Sequence, residues 1–159
     1  VNVATVAIGI VVFGAGAYLF VALRAAKVAG DPAIATVAAI AIAENGPKAS
    51  YRAHRLVAES FKRNMEASGA TADDIVSGRG GPMAPWPTAE KYRPLLARAR
   101  ATVALDGEDG RRAVKATRDA FAAVLSRSGE ESAGATNWTH GGAPFVPWIE
   151  KGYTVTASE

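Results

Sequence analysis

The chain of 159 residues carries 18 Lys and Arg against 15 Asp and Glu, a formal net charge of +3, and no cysteine. This length suits one compact domain with an appendage. So small a positive excess does not argue for nucleic acid, although it would suit a polyanionic surface such as a cell wall. The missing thiols exclude disulfides and thiolate metal sites, and two histidines leave any zinc site to borrow carboxylates, so no metal or other cofactor is expected.

Residues 1–23 contain no charged side chain. At a rise of about 1.5 Å per residue they make enough helix to cross a bilayer core of about 30 Å. Arg24 and Lys27 follow, where they can snorkel to a head-group region. A signal peptide fits less well, because no basic stretch precedes the run and no small-x-small pattern precedes Arg24. The expectation is a single apolar transmembrane helix over residues 1–29, with a helix buried in a large assembly such as a tail tube or capsid interior as the alternative. Gly9, Gly14 and Gly16 suit close helix approach in either setting. The positive-inside rule would put the remaining domain in the cytoplasm, unless delivery bypasses the ordinary translocon.

Gly30-Asp31-Pro32 is a break and a helix start, with Asp31 as cap and Pro32 at the first helical position. The stretch from Ala35 to Glu44 is almost wholly apolar and is stopped by Asn45-Gly46-Pro47. A helix of this kind is buried on most faces and carries Glu44 at its C-terminal end. There the negative end of the helix dipole and the apolar surroundings both disfavour ionisation, which is what a general acid working near neutral pH needs. A solvent-facing glutamate that merely helps to stop the helix is the plainer alternative.

A third helix is predicted over residues 50–67. Ala53, Leu56, Val57, Ser60, Phe61, Asn64 and Met65 mark its buried face, and Arg52, Arg55, Glu59, Lys62, Arg63 and Glu66 mostly take the other side. His54 falls near the edge of the buried face and reads as a packed residue rather than a ligand. Thr71-Ala72-Asp73-Asp74 starts a short helix in the manner of a capping box. Residues 77–88 form a Gly- and Pro-rich loop in which Trp86, between Pro85 and Pro87, either closes the core or stacks on a sugar ring.

Thr88 caps a helix to about Leu105, residues 106–110 make a turn, and another helix covers about residues 111–126. The arginines and lysines of these two helices read as a solvated face. After a polar linker, residues 134–140 and 153–156 read as short strands of a small hairpin, with the rigid Pro144-Phe145-Val146-Pro147-Trp148 between them. The expected fold is mainly α: a helical body with a small C-terminal β-hairpin, behind one apolar helix.

Two separated stretches carry a resemblance. One is Glu44-Asn45-Gly46 followed by a helix containing Glu59-Ser60-Phe61-Lys62-Arg63-Asn64. The other is Gly134-Ala135-Thr136-Asn137-Trp138-Thr139-His140, then Pro147-Trp148 and Lys151. In order and rough spacing these resemble the cell-wall hydrolase family of the spore-cortex-lytic type, a lysozyme-like family of peptidoglycan glycosidases. In that pattern a Glu closes the first helix of the domain, a second helix packs behind it, and a Gly-Ala-Thr segment lines the cleft before a Pro-Trp element. The resemblance covers roughly residues 33–159. Two departures are that the usual Gly-Glu-Ala-type surroundings of the acid are here Ala43-Glu44-Asn45-Gly46, and that residues 110–132 exceed what the pattern needs.

The resemblance implies a lysozyme-like α+β domain over residues 30–159 that cleaves the bond between N-acetylmuramic acid and N-acetylglucosamine, with Glu44 as the acid. Asn137 and His140 would bind N-acetyl or hydroxyl groups, and Trp138, Trp86 and Trp148 would face sugars. Most glycosidases need a second carboxylate, and the sequence nominates none. A lytic transglycosylase needs only one, because the muramoyl residue's own hydroxyl attacks. The implied partner is peptidoglycan, with residues 1–29 held in a membrane or a large assembly, as in a phage lysin, a virion component or an anchored wall-remodelling enzyme. The rival expectation is a non-catalytic single-helix component of a virion or membrane assembly. A zinc amidase using His54, His140 and Glu44 lacks the HExxH-like spacing.

Overall fold

The computed structural model describes residues 3–77 and 93–132, with side chains from Gly16 onward. Six helices follow in chain order: α1 Val3–Ala29, α2 Pro32–Asn45, α3 Tyr51–Ser68, α4 Ala72–Val76, α5 Arg93–Ala104 and α6 Glu108–Ser126. Of these α2 is the hub, and each of the others packs against it.

The local chemistry explains where the helices begin. Asp31 Oδ1 accepts from the Ala33 N–H at 2.6 Å and the Ile34 N–H at 3.2 Å, and Pro32 follows it. Ser50 Oγ accepts from the Ala53 N–H at 3.0 Å to cap α3. Thr71 and Asp74 form a reciprocal capping box on α4. The start of α6 lies three residues before the sequence reading, because Glu108 and Asp109 complement the positive end of its dipole.

Every residue of α2 from Ala35 to Ile42 is buried, and Val37, Ala38, Ala39, Ile40 and Ala41 have no exposed surface at all. Eight consecutive buried residues pass more than twice around the helix, so neighbours must cover it on every side. The cover includes Ala25 and Ala29 of α1, Val57, Ala58 and Phe61 of α3, Ile75 of α4, Ala99 and Val103 of α5, and Ala113 and Ala120 of α6. Small side chains dominate this list, so the helices come close together. At the α5–α6 contact Gly110 lies against α5, where a Cβ would stand 2.6 Å from the Thr102 carbonyl oxygen. Two arginines finish helix ends from a distance: Arg24 Nε donates to the Ala104 carbonyl at 2.7 Å, and Arg118 Nη2 donates to the Ala29 carbonyl at 2.6 Å.

Two expectations about the fold are corrected. The described residues hold helices and connections but no strand, so the lysozyme-like α+β class fails there in favour of an all-helical body. The residues read as a C-terminal hairpin, 134–156, lie outside the described residues. The single transmembrane helix is corrected as well. From Gly16 onward, among the described residues, no single helix is long and apolar enough to cross a membrane; Gly16–Ala29 and Pro32–Asn45 meet the requirement only as a pair bent by 103°. The second member of that pair is the core helix. The physical reason is that the last turns of α1 belong to the helical body. Ala25 and Ala29 are buried in its core, and Arg24 binds a helix end instead of reaching for a head group.

Gly110→Ala tests the close α5–α6 contact. Helix propensity alone would make Ala the better residue by about 1 kcal/mol. The backbone clash should outweigh this and leave a net loss of about 1–3 kcal/mol in urea unfolding. A gain in stability would contradict the contact.

Candidate functional site

Glu44 lies in the last turn of α2, half-buried, where the helix leaves its apolar surroundings. The turn is closed in two ways. Gly46, at φ +85°, donates its N–H to the Ile42 carbonyl at 2.8 Å, a backbone conformation that favours glycine. The Asn45 side-chain amide donates to the Ala53 carbonyl at 3.0 Å, tying the end of α2 to the first turn of α3. Thus Glu44 is carried by a helix end that its neighbours fix on both sides.

His54 packs inside this corner with no exposed surface. The carbonyls of Ala41 and Pro47 lie toward its ring, though neither ring nitrogen reaches full hydrogen-bond geometry. Burial lowers its pKa below the ordinary 6.5, and the positive charge of Arg112 adds to that effect. The carbonyls of Ala41 and Pro47 and the carboxylate of Asp109 work the other way without reversing it. His54 is therefore a neutral, packed residue, as its place near the buried face suggested. Among the described residues no three His, Asp or Glu side chains gather into a metal site.

A second cluster lies farther along α3. Glu59 is completely buried, although helical periodicity placed it on the exposed side. Its Oε2 accepts from the Ser132 N–H at 2.7 Å and the Glu131 N–H at 2.9 Å, while Oε1 pairs with Arg55 Nε at 2.9 Å. Glu131 reaches back to Arg52 at 3.1 Å and to Arg55 at 3.2 Å, and Glu130 pairs with Arg63. Burial opposes the charge of Arg55, but its hydrogen bond to Glu59 and the attraction of that carboxylate hold its pKa above the usual value. The one sequence signal for the cluster is the Arg55–Glu59 spacing of four residues, which an exposed helix would show equally.

A third cluster joins α3 to α6. The Tyr51 hydroxyl donates to Asp119 at 2.5 Å, and Lys115 Nζ donates to the same carboxylate at 2.6 Å. Hydrogen bonds from Lys115 and Tyr51 lower the Asp119 pKa. Burial, together with the negative Asp119, raises that of Tyr51. Caps or ion pairs engage Asp31, Asp74, Glu66, Asp73, Asp106, Glu108, Asp109, Asp119, Glu59, Glu130 and Glu131.

Of the site residues expected from sequence, Glu44 alone is among the described residues. Trp86, Asn137, Trp138, His140 and Trp148 lie outside them. No protein-family model matches the chain, and neither a curated protein nor a solved structure matches it.

The buried His54 has a consequence for pH dependence. Its folded pKa is depressed, so the unfolded chain binds the extra proton first as the pH falls below 6.5. Stability should be greatest above that value and decline from about pH 7 to about pH 5, a loss distinct from carboxylate titration at lower pH. Thermal unfolding of the wild type should show this decline, and His54→Leu should flatten it. An unchanged slope in the variant would contradict the assignment to His54.

Proposed function

We propose that the chain is a peptidoglycan-cleaving glycosidase of the lytic-transglycosylase type, with Glu44 as its acid and then its base. The observation that carries this reading is the placement of Glu44: a half-buried carboxylate at the end of a wholly buried apolar helix, with a second helix packed behind it. In the family pattern described above, that is the position of the acid.

The step needs few groups. Glu44 protonates the leaving glycosidic oxygen as the bond to the muramoyl carbon breaks. The carboxylate so formed takes the proton from the muramoyl hydroxyl as that oxygen closes on the same carbon, which regenerates the acid. No water is consumed and no second carboxylate is required. Asn137, His140, Trp138, Trp148 and Trp86 are the residues proposed to contact the sugars. The first turns of α1 are proposed to fasten the domain to a virion or membrane assembly at the wall.

A second reading is favoured by one observation. Gly16, Ala17, Tyr18, Leu19 and Phe20 are all largely exposed, with only Arg100 of α5 over the Tyr18 ring, so this part of α1 keeps apolar surface uncovered. A non-catalytic component of an assembly would have such a helix, and would not need Glu44.

Digestion of purified peptidoglycan by the full chain separates the two. Wild type should release fragments with anhydro-muramoyl ends, and Glu44→Gln, with an unchanged helical spectrum, should be slower by about a thousandfold or more. Reducing muramoyl ends would mean hydrolysis and a second carboxylate outside the described residues. No products from folded wild type would remove the enzyme reading and leave the structural one.

A further inference from the structure

Helices α1 and α5 lie side by side over α2. The Arg100 guanidinium stands over the Tyr18 ring, 5.3 Å from its centre, and farther along both helices Arg24 Nε donates to the Ala104 carbonyl at 2.7 Å. Both helices pack on α2, so their outer faces share one side of the molecule. On α1 that side carries Leu19, Phe20 and Leu23, which are 59%, 64% and 62% exposed. Lys27, also exposed, follows Leu23 at the next four-residue step. The exposed residues of α5 include Arg93 and Arg98, and Leu105 stands exposed just past its end.

Charge is spread as unevenly as apolar surface. Neither α1 nor α5 contains an acidic residue. Arg24, Lys27, Arg93 and Arg98 are all exposed on them, so these two helices alone exceed the net charge of +3 that the whole chain carries. The acids next along the chain are committed: Asp31 caps α2, and Asp106 pairs with Arg111. Other carboxylates, Glu66, Glu130 and Glu131, gather about α3. A partner for the α1–α5 side must therefore supply both negative charge and an apolar medium. A second copy would bring like charges together. A hydrophilic polyanion would neutralise the cations but leave Leu19, Phe20 and Leu23 in water. A surface of anionic lipid answers both needs, since apolar side chains enter the head-group boundary while Lys and Arg stay among the phosphates.

We infer that the α1–α5 side docks on an anionic lipid surface, with Leu19, Phe20 and Leu23 entering it and Lys27 and Arg98 held among the head groups. No membrane span is required. Ala25 and Ala29 keep the end of α1 in the protein core, so the helical body lies against the surface with α5 beside α1. Docking through this side takes the membrane branch of the fastening proposed above for α1, adds α5 to it, and is independent of glycan cleavage.

The test is co-sedimentation of the full chain with two kinds of vesicle, phosphatidylcholine alone and phosphatidylcholine with phosphatidylglycerol. Wild type should bind the anionic vesicles at least about tenfold more tightly than the neutral ones, and added salt should remove most of that difference. Lys27→Gln combined with Arg98→Gln should weaken binding to anionic vesicles by about twentyfold and leave binding to neutral ones unchanged. Leu23→Gln should weaken binding to both by about tenfold. All three side chains are exposed, so the helical spectrum should stay that of wild type. Equal binding of wild type to both vesicles would overturn the role of the cations while leaving a membrane fastening through α1. An unaffected Lys27→Gln/Arg98→Gln variant would overturn it too. Anionic binding untouched by Leu23→Gln would mean a hydrophilic polyanion as the partner. No binding to either vesicle would overturn the lipid surface altogether, and a chain that then sediments as a dimer would assign this side to a second copy. None of these results depends on whether the chain cleaves peptidoglycan.

Discussion

The constraint on which the rest of this structure depends is that α2 must be covered on every side. A helix reading Ala35-Thr36-Val37-Ala38-Ala39-Ile40-Ala41-Ile42 has no polar stripe to offer to water. Leaving any face bare would expose apolar surface and forfeit contacts with close-packed neighbours. The end of α1, the buried face of α3, the short α4, and helices α5 and α6 all contribute to its cover. Because alanine supplies so much of the centre, stability here comes from close approach of helices rather than from large side chains. That is why a glycine such as Gly110 is required where α6 meets the α5 backbone.

The same constraint produces the candidate site. Where α2 ends, the cover opens, and polar residues come to the boundary together. Glu44 is half-buried, Asn45 crosses to α3, Gly46 turns the chain and His54 fills the corner. A carboxylate on a flexible loop would lose its position with every loop motion, whereas one on the last turn of a fully packed helix inherits the rigidity of the core. Two other charged clusters, the Glu59 clamp and the Tyr51–Asp119–Lys115 group, tie α3 to the chain around α6.

Much of this was legible in the residues, and the failures share a cause. The bounds of α2 and the start of α4 follow from short-range signals: Asp31 and Pro32, Gly46 and the Thr71–Asp74 box. The structure places each of these at a helix end. His54 was recognisable as a packed residue because its neighbours on α3 are core residues. Glu59 was not, since periodicity along α3 says only that it points away from α2. Its burial comes from residues 131 and 132, far away in sequence. The apolar run of residues 1–23 also misled. Composition says that its surroundings are apolar, but cannot say that Ala25 and Ala29 just beyond it join a protein core while Arg24 binds a helix end. In both cases long-range packing decided a question that local pattern left open.

The central claim is that the end of α2 faces a glycan. It is tested most directly by NMR of the full-length chain, following backbone amide shifts as a soluble peptidoglycan glycan fragment is added. The account predicts shift changes concentrated at residues 44–46 and in the first turn of α3, saturating with added fragment. Changes confined to α1, or no changes at residues 44–54, would contradict it.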